Sequence, residues 1–253
     1  MERVPITAIV ALLLSGCAAH VASTPKSNPA RCAAGFWDVR GLGCAIVPDS
    51  SGERPPPLLV FLHGMYPDAA PDAEYALEAR LATGAAAAGV AVYVHRGRVG
   101  LCDWDDAFRD WRCWPTRGGQ LPVVGEILVE LGEALVELAR QTGADTARPV
   151  VFGYSNGGFL AAIMASQTSI AACGYVIAHA GGTPPMSFGG RPRAPALLVW
   201  GTHDPNREQM QQLLQRMREG GWAPRHVETG GGHDLTDQDF ALALRFALEC
   251  MAD

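Results

Sequence analysis

Short apolar runs punctuate the chain from residue 58 onwards: LLVFL at 58–62, VAVYVH at 90–95, PVVFG at 149–153, GYVIAH at 174–179, ALLVWG at 196–201 and RHVET at 225–229. They are rich in Val, Leu or Ile without strict alternation, the pattern of strands buried on both faces of a sheet. Between them lie longer amphipathic or Ala-rich stretches that predict helices over about 72–88, 119–142, 157–168, 206–220 and 236–250. In the second of these, Ile127, Leu128, Leu131, Leu135 and Leu138 recur at steps of three and four, so one stripe faces the sheet, and Gly143 stops the helix. Alternation of strand and helix is the βα signature of a mostly parallel sheet with helices on both faces. Ahead of it, CAAGFWDVRGLGCAIVP (32–48) predicts a small antiparallel addition that turns near Gly41 and Gly43.

Length and composition narrow this picture. A chain of 253 residues that is 48% hydrophobic is sized for one large core, so 31–253 reads as a single domain. The formal charge of −6 and the scattered Lys and Arg leave no basic stripe for a phosphate backbone, which sets nucleic acid aside. Residues 1–16 combine Arg3, an apolar stretch over Val4–Leu14 and small residues, and read as an export signal too short to span a bilayer. Their end, LLSGC, resembles the bacterial lipobox, which implies diacylglycerol on Cys17 and a membrane attachment through it. Residues 17–30 then read as a flexible tether.

Without Cys17, the cysteines number six, an even count that suits a disulfide framework in an oxidising compartment. Six cysteines allow 15 connectivities. Proximity favours Cys32 with Cys44 and Cys102 with Cys113, which leaves Cys173 with Cys250. A structural zinc site is the alternative, but no CxxC pair is present. The connection GRVGLCDWDDAFRDWRCWPTRG (97–118) exceeds ordinary βα loop lengths. Its acids, Asp103, Asp105, Asp106 and Asp110, lack calcium-loop spacing and sit beside Arg109 and Arg112, so a salt-bridged loop is expected. Its tryptophans either line a pocket or form a small core over the disulfide.

The chemistry centres on GYSNG, Gly153–Gly157, which fits G-x-S-x-G between an apolar strand and a helical run. A serine hydroxyl needs a base to take its proton and an acid to orient that base. LLVWGTHDPN places Asp204 beyond the end of a buried strand, and GGGHDL places His233 in a glycine-rich loop after the next. Other readings stand beside these: Asp204 as a helix cap, Asp234 as the acid, His63 as the base, and His179, His203 and His226 as core, edge or loop residues.

With Ser155, Asp204 and His233 in that order and LVFLHGMY (59–66) upstream, the chain resembles the α/β-hydrolase superfamily over roughly 55–250. The resemblance implies that fold without a large cap domain, and Ser155 as nucleophile, His233 as base and Asp204 as acid. It also implies that the backbone N–H groups of Met65 and Asn156 form the oxyanion hole, that His63 is structural, and that neither a metal nor an organic cofactor is required. The short His-Gly loop and the cysteine-closed loop are similar to those of extracellular esterases of the polyhydroxybutyrate depolymerase and feruloyl esterase type, although Met65 stands where such enzymes often carry Cys. Ester hydrolysis through an acyl-enzyme is therefore expected, with Tyr66, Trp104 and Trp114 as pocket candidates. A serine peptidase of the same fold and an inactive surface binding module are the alternatives. The acyl and alcohol groups, and the oligomeric state, are not legible.

Overall fold

The computed structural model describes residues 32–48, 55–167, 171–182, 186–189 and 194–252. The export signal, Cys17 and the tether lie outside the described residues. The described residues open with an antiparallel hairpin, β1 (Trp37–Asp38) and β2 (Gly43–Ile46). Gly41 takes φ 75° in its turn, and the Asp38 carboxylate accepts from the Gly41 N–H at 2.7 Å. Then come β3 (Pro57–Leu62), β4 (Tyr66–Pro67), α1 (Pro71–Ala88), β5 (Ala91–His95), β6 (Arg98–Val99), β7 (Trp111–Cys113) and α2 (Leu121–Thr142). The second half holds β8 (Asp145–Tyr154), α3 (Asn156–Gln167), β9 (Gly174–Ala178), β10 (Ala196–Gly201), α4 (Arg207–Glu219), β11 (Arg225–Thr229) and α5 (Asp237–Ala252).

Eight strands form one sheet in the order β1-β2-β5-β3-β8-β9-β10-β11, parallel from β5 to β11 and antiparallel at β1 and β2. Alternation along each strand splits the core in two. Leu58, Val60 and Leu62 point to the face covered by α2, α3 and α4, while Leu59 and Phe61 point to the face covered by α1 and α5. Helix α2 turns Val124, Ile127, Leu131, Leu135 and Leu138 onto the first face, and each such side chain contributes about 1.5–3 kcal/mol by leaving water.

The long connection is ordered. Its β6 and β7 join β4 in a separate three-stranded antiparallel sheet. The Arg112 guanidinium clamps that sheet by donating to Asp68 Oδ1 at 2.6 Å and to the Gly97 carbonyl at 2.9 Å. Three cysteine pairs lie at disulfide distance, with Cα atoms 5.7 Å apart for Cys32 and Cys44, 5.8 Å for Cys102 and Cys113, and 6.0 Å for Cys173 and Cys250. Among the described residues no helix is long and apolar enough to cross a membrane.

Candidate active site

The site sits at the carboxyl ends of the parallel strands, where β8 turns sharply into α3. Ser155, the one residue between them, has φ 51°, a left-handed conformation that a side chain seldom adopts. The flanking glycines are demanded by close approach. A Cβ on Gly153 would strike the Gly157 carbonyl, and one on Gly157 would strike the carbonyl oxygens of Leu62 and His63. The turn raises the hydroxyl above the sheet beside the amino end of α3, whose unpaired N–H groups and dipole favour negative charge there.

Two further strand ends supply partners. Ser155 Oγ lies 2.9 Å from His233 Nε2, and His233 Nδ1 lies 2.9 Å from Asp204 Oδ1. Asp204 is buried just beyond β10, and its Oδ1 also accepts from the Asn206 N–H at 2.8 Å. Asp204 does not cap α4, whose N-cap is Asn206 without a side-chain bond; its carboxylate instead closes the turn ahead of that helix while it meets the histidine. The line runs through Asp204 and not through Asp234. His233 is held on its carbonyl side by the Tyr154 hydroxyl, which donates to it. Burial, then the negative charges of Asp234, Asp204 and Asp239, push the Tyr154 phenol up to about 12 and keep it a donor.

The opposite wall is built on His63, which follows β3. Its Nδ1–H donates to the Gly64 carbonyl and its Nε2 accepts from the Gly97 N–H at 2.8 Å, so the ring ties the β3 end to the long connection. Burial pushes its pKa down to about 3 against the Gly64 hydrogen bond, and the ring is neutral. That leaves it no part as a base. Trp114, which the sequence suggested for the pocket, lies beneath the site, fully buried. Its indole N–H donates to the His63 carbonyl at 2.8 Å, and its backbone N–H donates to Asn156 Oδ1 at 2.7 Å. The Asn156 amide completes the link by donating to Thr116 Oγ1 at 3.1 Å. The disulfide-closed connection therefore holds Asn156 directly and the backbone at His63, two residues before Met65.

A cleft of about 520 Å³ opens over Ser155, lined by Met65, Trp104, Arg117, Phe159, Asn206 and Asn156 among others. Trp104 is half-exposed on its wall, with the Arg117 guanidinium 5.4 Å above its ring. Tyr66 lies elsewhere: its ring packs edge-on against His63 at 4.4 Å and lines the neighbouring hollow with Glu74 and Leu235. Two groups of residues among those described bring three potential metal-ligand atoms together. In one, Cys32 and Cys44 are paired with each other; in the other, His179, Asp204 and His233 meet through hydrogen bonds.

What sequence reasoning passed over is the far side of Asp204. His179, set aside as a core or edge residue, donates from Nδ1 to Asp204 Oδ2 at 2.6 Å and faces Asp239 beyond. A sequence signal existed for Asp239, since Thr236 and Asp239 have the spacing of a helix capping box.

No protein-family model matches this chain, and no curated protein matches it. Solved structures do. A carboxylesterase from Bacillus cereus superposes with a TM-score of 0.61 at 20% identity, covering 82% of this chain and 93% of its own. A carboxylesterase from Mesorhizobium loti gives 0.58 at 18% identity, with 81% and 93% covered. A ferulic acid esterase gives 0.60 at 15% identity, with 82% and 92% covered. Sheet order, helix placement and these likenesses together define the class: the chain has the α/β-hydrolase fold.

Proposed function

We propose that this chain is a serine hydrolase that cleaves carboxylic esters through an acyl-enzyme, with residues 31–253 as one catalytic domain. One observation carries the reading: the line from Ser155 through His233 to Asp204, 2.9 Å at each step, with the serine raised on a strained turn. Ser155 Oγ attacks the ester carbonyl carbon while His233 Nε2 takes the hydroxyl proton. Asp204 holds the tautomer with Nδ1–H toward itself and stabilises the imidazolium that forms. The N–H groups of Met65 and Asn156 receive the oxyanion, each such donor lowering the barrier by about 3 kcal/mol. Collapse of the tetrahedral adduct breaks the carbon–oxygen bond to the alcohol, and His233 returns its proton to that oxygen. A water then repeats the sequence on the acyl group, with His233 taking its proton, and frees the acid and the serine.

The likeness to carboxylesterases and a ferulic acid esterase supports esters over amides, and the cleft with Trp104 and Phe159 suits an apolar or aromatic acyl group. The address belongs to the same reading. The signal-like start, LLSGC and the three cysteine pairs fit an exported lipoprotein anchored through Cys17. Incorporation of labelled palmitate by the expressing bacterium, lost in Cys17→Ser, checks the anchor.

The decisive experiment is hydrolysis of p-nitrophenyl esters of increasing acyl length by the full-length chain beside Ser155→Ala. Activity that peaks at one length and falls in the variant by about 10³-fold or more supports the reading. Equal rates in both proteins on every ester overturn it.

A further inference from the structure

β9 lies between the strand that carries Ser155 and the strand that leads to Asp204, so the residue after it emerges between the two. That residue is His179, and its φ of 55° is one of three positive values among the described non-glycine residues, another being that of Ser155. Its backbone is held on both sides. The N–H donates to the Val199 carbonyl at 2.8 Å, and the carbonyl accepts from the Asn206 amide at 3.0 Å.

The ring so aimed is buried between two carboxylates. Nδ1 donates to Asp204 Oδ2 at 2.6 Å, the oxygen that His233 leaves unused. Nε2 faces Asp239 Oδ1 at 3.5 Å. The other oxygen of Asp239 is occupied by the cap of α5, accepting from the Thr236 N–H at 2.6 Å and the Thr236 hydroxyl at 2.7 Å. His179 Nε2 and Asp239 Oδ1 have no hydrogen-bond partner elsewhere among the described residues, so each is left to the other. A neutral imidazole donating from Nδ1 would turn its Nε2 lone pair toward a carboxylate oxygen and be repelled. An imidazolium turns an N–H toward it.

We propose that His179 is a positioning residue of the hydrolase site, an imidazolium set between Asp204 and Asp239 that fixes the Asp204 carboxylate for His233, with Asp239 as its counter-ion. This rests on the hydrolase reading of Ser155, His233 and Asp204. Burial alone lowers the proton affinity of His179, but the hydrogen bonds and charges of Asp239 and Asp204 outweigh it and hold its pKa above the ordinary histidine value. Burial likewise opposes ionisation of Asp239, and His179 and Thr236 overcome it. The other titratable groups around His179 are the His233 ring, 5.9 Å away, the neutral Tyr154 ring of β8, 5.6 Å away, and Asp234 beside His233 in sequence. With His233 neutral, the group Asp204, His179 and Asp239 carries one net negative charge. Proton transfer from Ser155 to His233 balances it.

The test uses the full-length chain. Nitrogen NMR of the histidine rings at pH 7, with His179 assigned by its loss in His179→Asn, is expected to show both ring nitrogens of His179 protonated. Asp239→Asn, which keeps an oxygen for Thr236, is expected to return it to the neutral form. Asn at 179 suits the fold, because it tolerates positive φ and its amide can reach Asp204 as Nδ1 does. In that variant the hydrogen bond survives without the charge, and the acid limb of the pH profile of kcat/KM is expected to move up by about one pH unit, because the base loses a nearby cation. A neutral His179 in the wild-type chain overturns the proposal. So does an acid limb unmoved in His179→Asn, which would leave the residue a merely structural role. If the wild-type chain cleaves no ester, the hydrolase reading fails while the nitrogen spectrum still decides the charge of His179, so the two failures are separate.

Discussion

Two buried histidines flank Ser155, each just past a strand end, and they are held in opposite ways. His63, on the side of β3, is surrounded by backbone groups, donating to one carbonyl and accepting from one N–H, and burial drives its pKa down to about 3. His179, on the side of β10, is equally buried but lies between two carboxylates, which raise its proton affinity. The lesson is that depth does not decide the charge of a buried histidine; its partners do. One wall of the site is thereby neutral and hydrogen-bonded, beside the proposed oxyanion donors, and the other is charged, beside the proposed base.

The sharpest way to break this division is to remove the charge from the acid. Asp204→Asn keeps the shape but takes away the anion that His233 and His179 share, and kcat is expected to fall by about 10⁴-fold. On the neutral wall, Trp114→Phe removes the indole N–H that holds the His63 carbonyl and leaves a cavity where the larger buried ring stood. Leaving that buried carbonyl without its donor costs about 1–3 kcal/mol of stability, and a loosened oxyanion side lowers kcat by about tenfold. Steady-state kinetics on one ester checks both. Losses of equal size would mean that the two walls do not differ in kind.

Acid denaturation sharpens the comparison through the sign of each histidine's effect. A folded pKa of about 3 for His63, against an ordinary 6.5, means that the unfolded chain takes up a proton which the folded chain refuses across that interval. Stability therefore falls as pH drops below 6.5, by about 1.4 kcal/mol per pH unit from this one group. His95, held at about 4 by burial, adds to the slope over a narrower range. His63→Gln retains an acceptor for the Gly97 N–H and is expected to give a shallower fall in Tm between pH 6.5 and 4. His179 behaves in the opposite sense. Its contribution is fully present below the ordinary histidine value and is lost as pH rises through its raised folded value. A His179→Asn chain should accordingly lose less stability than wild type on the alkaline side.

Much of this was legible from the residues. Strands buried on both faces are nearly continuous apolar runs, so β3, β5, β9 and β10 stood out, and G-x-S-x-G with Asp204 and His233 marked the strand ends that meet. β8 begins at Asp145, four residues before the apolar run at 149: Asp145 pairs with Pro57, and the register then shifts before Val150 pairs with Leu59, so this irregular, partly exposed start carries no apolar signal. β4, β6 and β7 have two or three residues each, too few to show a period, and only the folded connection brings them together. Trp114 could not be told from Trp104 by composition, since both are tryptophans in one loop; what separates them is that the backbone N–H and indole of Trp114 find partners underneath the site. His179 was hidden because its role depends on β9 lying beside β10, a pairing that strand order fixes and local sequence does not.

Trp104 supplies the smallest and most local prediction. It stands on the cleft wall at 37% exposure, with Arg117 over its ring and Phe108 6.4 Å away, and touches neither buried histidine. In the proposed esterase its ring would cover an acyl or aryl group after that group has entered, binding ground state and transition state alike. Trp104→Ala is expected to raise KM for an aromatic or medium-chain ester by about three- to tenfold with kcat within about twofold, while acetate esters are little affected. A change in kcat equal to that in KM would tie this residue to the neutral wall below it, because the Cys102–Cys113 connection that carries Trp104 also carries Trp114. An effect confined to KM keeps substrate grip and oxyanion scaffold separate, although one loop supplies both.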